Sequence, residues 1–344
     1  ADQSGIAPDA ALGNPNLSWE TTKQVDLGVE FGFLDNRITG EVDLYQKNTT
    51  GLLLNRQLQL VSGYTTITEN VGSLRNKGLE LSLNGRILDG DFKWSVGGNM
   101  SFNRNLITSL PTPIIPTGNT LSRVQQGEPL GVFYGRKYAG VDPTNGDALY
   151  LQADGTTSNS YANAPIVKLG NPNPKFTGGV TTNASFKGFD LSALGQFSYG
   201  NDIYNAAGVY QSANAVYLDN QTVDQLNRWQ KPGDITDVPQ ARLYGNNGGG
   251  GQTATSRWIQ DGSFFRLKNV TLGYNLPADL VKRGHIQTVR VYITGQNLAT
   301  FTKYTGYDPE VNTYGLGTAS YLLGHDFYTP PLAKTYLLGV NIGF

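Results

Sequence analysis

The sequence predicts an all-β protein, an antiparallel transmembrane β-barrel of the kind found in bacterial outer membranes. Three observations support this prediction: the composition, a two-residue alternation in nine segments, and the lengths of the connections. Of 344 residues, 43 are Gly, 19 are Tyr and 14 are Phe, while only 15% are charged. Typical soluble domains have about 25% charged residues. No run of ~18 apolar residues suggests a membrane-spanning helix.

The alternation defines the strands. In 25–33 every odd-numbered residue is apolar, whereas Asp26, Gly28, Glu30 and Gly32 intervene. A strand sends these two sets to opposite faces, and a helix would scatter them. The alternation slips near Lys268–Asn269, which predicts a bulge. The nine predicted strands are 25–33, 37–47, 78–88, 91–103, 175–187, 189–199, 264–276, 288–298 and 335–344.

The length and chemistry of these strands favour a membrane barrel. Ten residues at ~3.3 Å rise and ~40° tilt span roughly 25 Å, the height of the apolar band of an outer-membrane barrel. A soluble sandwich or barrel would show the same alternation. However, one face here is rich in aromatic residues, and the other carries charge at mid-strand, which a small dry core would not tolerate.

The connections alternate between short and long. Tight turns are expected at Leu34–Asn36, Asp89–Gly90 and Gly188, with a moderate turn at Pro277–Gln287. The long connections are 48–77, 104–174, 200–263 and 299–334. Outer-membrane barrels have short periplasmic turns and long extracellular loops, so strand 25–33 is expected to begin outside. Such barrels have an even number of strands, so nine strands predict one part of a larger barrel.

Several segments resemble the TonB-dependent outer-membrane transporters of the SusC/RagA type, in the order that the family has them. The resemblance covers essentially the whole chain and is strongest in DGSFFRLKNVTLGYNLP. The segments are NPNLSWETTKQVDLGVEFGFLDNRITGEVDLYQKNTTGLL (14–53), NVGSLRNKGLELSL (70–83), LGNPNPKFTGG (169–179), FKGFDLSALGQFSYGNDIYN (186–205), DGSFFRLKNVTLGYNLP (261–277) and TYLLGVNIGF (335–344).

This resemblance implies a barrel of the 22-strand type with an N-terminal plug, located in the Gram-negative cell outer membrane. Residues 1–344 are then expected to be the C-terminal portion of one β-barrel domain, because nothing in them resembles the plug or the TonB box. The implied partners are a SusD-like surface lipoprotein, TonB through the missing N-terminal region, the barrel-assembly machinery and the lipid membrane.

The implied function is import of a nutrient oligomer, an oligosaccharide or a peptide. The alternative is a surface binding or adhesion protein that is anchored by its barrel and performs no active transport. An enzyme is not expected, because the chain has no Cys, only two His, and no catalytic motif. A net charge of −1 gives no reason to expect a nucleic-acid partner.

Aromatic residues in the loops are the candidates for substrate binding. Such rings can stack on a sugar, although loop-on-loop packing or contact with a lid protein would also explain them. The candidates are Tyr134, Tyr138, Tyr210, Tyr217, Tyr244, Tyr304, Tyr307 and Tyr314. Phe344 resembles the terminal aromatic signal that the assembly machinery reads; the alternative is an ordinary aromatic residue at the membrane interface.

Two groups of acidic residues raise other possibilities. Asp142, Asn145, Asp147 and Asp154 could supply oxygen ligands to a loop Ca²⁺, but their spacing departs from the EF-hand pattern and favours Asx turns. No cofactor is therefore expected. Four acids on the predicted inner face could instead form a catalytic pair, but ion pairs with bases such as Arg86 and Lys93 are favoured. These acids are Glu30, Glu41, Asp43 and Glu80.

Overall fold

The computed structural model describes most of the chain. The described residues are 11–58, 61, 63–64, 66–112, 114–115, 121–214, 220–243, 254–281, 286–311 and 322–344. Within these ranges, no helix has the length and apolar character that crossing a membrane requires.

One large sheet dominates the described residues. Its nine strands are β1 Thr21–Phe33, β2 Ile38–Thr50, β3 Ser73–Asp89, β4 Phe92–Ser109, β5 Phe176–Phe186, β6 Phe189–Tyr199, β7 Phe264–Asn275, β8 Thr288–Thr302 and β9 Thr335–Gly343. Each strand pairs antiparallel with its neighbour in sequence, from β1 at one edge to β9 at the other.

The predicted all-β antiparallel fold is confirmed, and each of the nine predicted strands has its counterpart. The predicted bulge is also present, because the register with β8 shifts between Leu267 and Asn269. β3 and β4 are longer than predicted and continue beyond the apolar alternation towards the long loops. The predicted ranges end where the apolar alternation ends, whereas backbone pairing continues for several residues.

The tight turns lie where the sequence predicts them. Leu34, Asp35 and Asn36 all have positive φ, at 55°, 53° and 59°. Asp and Asn tolerate this left-handed conformation better than most residues, so the strained residue of this turn is Leu34. Lys187 and Gly188 form a two-residue turn, again with positive φ at both positions, which suits the twist of a hairpin. The connection after β7 contains the short helix Ala278–Val281.

The two faces of the sheet differ in chemistry, as the alternation predicts. Cross-strand neighbours on one face are apolar, for example Leu27 opposite Leu44 and Ala184 opposite Trp94. Aromatic pairs mark both ends of this outer face: Phe92 lies 6.2 Å from Phe186, and Phe102 lies 5.7 Å from Phe176. The ten residue-to-residue steps from Phe92 to Phe102 span roughly 25 Å along the barrel axis, so these pairs bracket a band as thick as the membrane core.

The inner face carries the charges, but not in the pairs that the sequence suggests. No ion pair among the described residues joins Glu30, Glu41, Asp43 or Glu80 to a base, so that expectation is wrong. The register explains why, because Glu30 lies opposite Glu41 and Asp43 lies opposite Glu80.

The bases expected to pair with these acids lie elsewhere. Arg86 lies 3.5 Å from Asp89 instead. An inner-face ion pair does form between Arg290 and Asp190, at 2.5 Å. It bridges the intervening β7 at Gly273, where a Cβ would lie 2.5 Å from the Arg290 guanidinium.

The long connections fold into small sheets of their own. We call 51–72 loop 1, 110–175 loop 2, 200–263 loop 3 and 303–334 loop 4. The short strands are Ala11–Leu12, Leu53–Gln57, Thr66–Asn70, Ile114–Ile115, Ser122–Gln125, Val132–Gly135, Tyr138–Val141, Ala148–Leu151, Thr157–Ser158, Val167–Gly170, Asp202–Asn205, Ile259–Asp261 and His325–Asp326. The short helices of loop 3 are Gly208–Gln211, Val223–Asn227 and Ser256–Trp258.

A segment of loop 2 that could have supplied a tenth barrel strand does not join the large sheet. Val132–Gly135 pairs with Val167–Gly170 and Ser122–Gln125, and Tyr138–Val141 pairs with Ala148–Leu151. The alternation of short and long connections is therefore preserved.

We expect the outer face of β4 to be sensitive to charge. Val96 faces outward near the middle of the apolar band, so Val96→Arg should lower the free energy of unfolding by ~2–4 kcal/mol. The adjacent Ser95 faces inward, and Ser95→Arg should have a much smaller effect. Urea unfolding of the full-length protein in lipid vesicles measures both variants. Equal destabilisation would contradict the assigned faces.

We also expect the two ends of the sheet to differ in accessibility. The chain contains no Cys, so single Cys residues can report on topology. Ala153→Cys, in an exposed turn of loop 2, should react with an impermeant maleimide on intact cells. Gly90→Cys, in the turn between β3 and β4, should react only after the outer membrane is opened. Labelling of both positions on intact cells would show that the orientation is wrong.

Candidate functional site

The buried core lies in the loops, at the end of the sheet where the long connections emerge. Its largest cluster brings together loop 2, loop 3 and loop 4. The buried members are Leu121, Phe133, Tyr204, Ala206, Val209 and Trp258, with Phe327 packed against them. Three chain segments more than 50 residues apart thus form one rigid body.

His325 lies at the centre of this core. Its side chain is 0% exposed, and its Nε2 lies 2.7 Å from the Ser122 hydroxyl. The ring contacts Phe133 at 5.6 Å and Tyr204 at 5.1 Å between centroids. Burial lowers the pKa of His325 from 6.5 to about 4, so the imidazole is neutral at physiological pH.

A cavity of about 690 Å³ opens beside this core, and we call it the loop chamber. Its aromatic lining consists of Tyr138 from loop 2, Trp258 from loop 3, and Tyr307 and Tyr328 from loop 4. Its polar lining includes Asn205, Gln211, Asp224, Asp237, Gln260 and Asp326. Apolar walls with a few converging polar groups are typical of ligand pockets, which have volumes of ≈ 300–1,000 Å³.

Tyr138 holds one wall of the loop chamber in place. Its hydroxyl donates to the backbone oxygen of Asp237 at 2.7 Å, and its backbone amide donates to the Ser256 hydroxyl at 2.9 Å. Burial raises the pKa of the Tyr138 phenol above its ordinary value. The hydroxyl therefore remains protonated and the ring orientation is fixed.

Arg257 supplies the positive charge in the lining. Its guanidinium lies 4.6 Å from the ring centroid of Trp258 and 5.8 Å from that of Tyr138. It donates to Asn214 Oδ1 at 2.8 Å and to the backbone oxygen of Ser212 at 3.2 Å. Burial lowers the pKa of Arg257. Three aspartates and this one arginine line the loop chamber, so donors such as hydroxyl and amide groups fit it better than anions.

Loop 4 is tied to the inner face of the barrel by an ion network in which the Arg266–Asp308 pair is buried. Arg266 on β7 is 1% exposed; it pairs with Asp308 and with Glu310, the latter at 3.0 Å. Lys268 adds a second contact to Glu310 at 2.8 Å.

The aspartate of this network is held ionised. Burial alone would raise the pKa of Asp308, but the Arg266 guanidinium and the backbone amides of Glu310 and Leu332 hold it below its ordinary value. Tyr307, which lines the loop chamber, directly precedes Asp308 in the chain.

The structure separates the candidate tyrosines of the sequence analysis into three groups. Tyr138 and Tyr307 line the loop chamber, and Tyr307 is 72% exposed. The other described candidates lie outside its lining and make structural contacts. Tyr134 donates to Glu128 at 3.3 Å, Tyr210 packs on Phe327, and Tyr304 is buried with its hydroxyl 2.6 Å from Asp326. Tyr217, Tyr244 and Tyr314 lie outside the described residues.

The position of Phe344 agrees with either of the two roles expected for it. It follows β9 and is 84% exposed, in continuation of the outward positions of that strand. Sequence reasoning missed Trp258 and the polar lining of the loop chamber, because nothing local distinguishes these residues from other loop residues.

The possible calcium segment of loop 2 forms turns. Asp142 Oδ1 accepts the amide and the hydroxyl of Thr144, at 2.8 and 2.6 Å. Asp154 makes the same two bonds to Thr156, at 3.0 and 2.7 Å. Asn145 Oδ1 accepts the amide of Asp147, at 2.9 Å. These are Asx turns, and no cluster of three possible metal ligands occurs among the described residues.

Residues 2–298 match the family model described as TonB dependent receptor-like, beta-barrel. TonB-dependent receptor P3 of Formosa agariphila is 36% identical over 358 residues, which cover 96% of this chain and 35% of that protein. TonB-dependent receptor SusC of Bacteroides thetaiotaomicron is 30% identical over 356 residues, which cover 96% of this chain and 32% of that protein.

A solved structure of the RagAB peptide transporter has the same fold. It superposes with a TM-score of 0.84 at 31% sequence identity, covering 97% of this chain and 36% of that chain. The chain thus spans about a third of the length of the relatives that it matches.

The stability of the loop core should depend on pH through His325. When the loop core opens locally, His325 is exposed to water and its pKa returns to about 6.5. Below pH 6.5 the open state therefore binds a proton that the buried imidazole does not bind, so the stability of the loop core decreases as the pH falls from 6.5 to about 4. Between pH 7 and pH 5 the expected loss is about 2 kcal/mol. Hydrogen exchange at the Tyr204 amide, which donates to the Gly324 oxygen at 2.8 Å, measures it after correction for intrinsic rates.

The matched control for this prediction is His325→Gln, which keeps a polar group beside Ser122 but cannot titrate. Its protection factor should change much less between the two pH values. A wild-type protection factor that is equal at pH 7 and pH 5 would contradict the assigned burial of a neutral imidazole.

Proposed function

We propose that this chain is the C-terminal portion of the barrel of a nutrient importer. The starting point is its family: the chain belongs to the TonB-dependent receptor-like β-barrel family. Members of this family are β-barrels of the Gram-negative outer membrane, and the nine-stranded sheet matches that architecture. The proposed complete protein contains a plug and a TonB box outside residues 1–344.

The loop chamber is the observation that carries this proposal. It lies among the extracellular loops, it has the volume of a small-ligand pocket, and one of its walls is held in place by the bonds of Tyr138. A preformed binding site at the outer mouth of a barrel suits capture before transport, because rigid walls reduce the ordering cost of binding.

We assign an oligosaccharide as the substrate class, with a peptide as the second candidate. The exposed aromatic faces of Tyr307 and Tyr328 in the lining can stack on sugar rings. The carboxylates of Asp224 and Asp237 can accept bonds from sugar hydroxyls. A peptide is favoured by a different observation, the similarity to a structure described as a peptide transporter.

The proposed partners follow from the same premise. A SusD-like lipoprotein would cover the loops from outside, and TonB would act through the N-terminal region from the periplasm. The barrel-assembly machinery would read Phe344. No enzymatic role is proposed.

Uptake should depend on Tyr307. In the full-length protein, Tyr307→Ala removes one aromatic wall of the loop chamber, and a lost aromatic contact is worth ~1 kcal/mol, or about fivefold in affinity. Binding and uptake of labelled oligosaccharides and oligopeptides by whole cells measure the effect. Ile235→Ala, an equally exposed change in loop 3 outside the chamber lining, is the control and should have no effect.

Deletion of TonB separates transport from adhesion. The importer should lose accumulation of the ligand in cells without TonB, whereas surface binding should remain. If the ligand binds to the surface of cells with and without TonB but accumulates in neither, the alternative is favoured, a barrel-anchored surface binding protein.

A further inference from the structure

The outer face of the barrel carries four bases just above the apolar band, towards the extracellular end. They are Lys23 on β1, Arg75 and Lys77 on β3, and Arg104 on β4. Their orientation follows from their neighbours. On the inner face, Asn103 and Asn105 both donate to Asn76 Oδ1, at 3.3 and 2.8 Å, and Asn105 Oδ1 accepts the amide of Leu130 in loop 2. Side chains alternate along a strand, so Lys77 and Arg104 point outward.

These bases stand close together. Lys77 lies directly opposite Arg104 in the β3–β4 ladder, where side chains are ~5 Å apart and like charges destabilise the pair. Arg75 lies two residues further along the same face, ~7 Å away. Lys23 lies opposite Asn48, which in turn lies opposite Arg75. One small anionic group can therefore contact three of the four.

No acid in the described part of the chain forms an ion pair with them, and the nearest cavity with acids, which Arg104 also lines, holds Asp202 and Asp261 above the groove. None of the ion pairs there includes Lys23, Arg75, Lys77 or Arg104. The Arg104 guanidinium contacts only a backbone oxygen, that of Lys175 at 3.4 Å. The remaining outward positions at this level are neutral: Thr21, Gln46, Asn48 and Leu106. The opposite end of the sheet, at the tight turns, carries charges of both signs: Asp35, Asp89 and Asp91 lie there together with Arg37 and Lys187.

An apolar groove descends from the bases into the membrane-facing band. It encloses about 490 Å³ and is lined by Val25, Leu27, Leu44, Leu79 and Phe102, with Lys77 and Arg104 at its upper end. Basic side chains above an apolar groove complement a lipid whose anionic headgroup lies at the membrane interface and whose acyl chain lies below it.

We propose that this groove is a binding site for a phosphorylated glycolipid of the outer leaflet, the lipid A class. The phosphate lies between Lys77, Arg104 and Arg75, and one acyl chain lies against Leu79 and Phe102. Bound lipid compensates the repulsion between the opposed Lys77 and Arg104. The site is independent of the loop chamber and of the transported substrate.

Native mass spectrometry of the full-length protein in neutral detergent tests this site. The probes are lipid A, dephosphorylated lipid A and inorganic phosphate, each titrated separately. The double variant Lys77→Gln/Arg104→Gln should bind lipid A about 30-fold more weakly, roughly fivefold for each charge removed. The control Lys47→Gln/Lys93→Gln removes two charges from the inner face and should bind as the wild type does.

Each result supports or overturns the proposal. Weak binding of dephosphorylated lipid A and of inorganic phosphate by the wild type would support it, because both head and chain are then required. The proposal is wrong if the double variant keeps its affinity, if the control loses as much, or if either simplified probe binds as tightly as lipid A. Unchanged heat-modifiability on gels shows that both variants fold.

Discussion

Backbone hydrogen bonding in lipid is the constraint on which the rest of this structure depends. Hydrocarbon offers no partner to an amide or a carbonyl, so each one at membrane depth must be paired within the protein. The ladder from β1 to β9 meets this demand strand by strand, with a single register along most of each pair. Because the ladder fixes the side-chain alternation, it also fixes which residues face lipid and which face the interior.

This arrangement moves the hydrophobic core away from the sheet. The outer face is covered by lipid and the inner face is polar, so the buried apolar side chains collect in the loops around Phe133, Val209 and Trp258. The described parts of the loops consequently form a folded body of their own. The Arg266 network then joins this body to the barrel wall through Asp308 and Glu310. Arg266 and Asp308 can be buried there because each is paired and further hydrogen-bonded.

The sequence predicts the barrel well and the site poorly, for a physical reason. A strand such as Phe189–Tyr199 is determined by alternation within eleven residues, and its register follows from the tight turn at Lys187–Gly188. The loop chamber instead depends on contacts such as Tyr138 to Ser256, which are 118 residues apart. Tyr304 and Tyr307 are equivalent as loop aromatics in the sequence, yet one is buried against Asp326 and the other is exposed.

The same distinction explains how the fold persists while most residues differ from those of solved relatives. An outward position requires only an apolar residue and an inward one only a small or polar residue, so many sequences satisfy the ladder. The loop chamber depends instead on particular partners, such as Tyr138 and the backbone oxygen of Asp237. Under the proposed function, substrate choice can change through loops 2, 3 and 4 without disturbing the strands that carry them, and function must be argued from the site rather than from the fold.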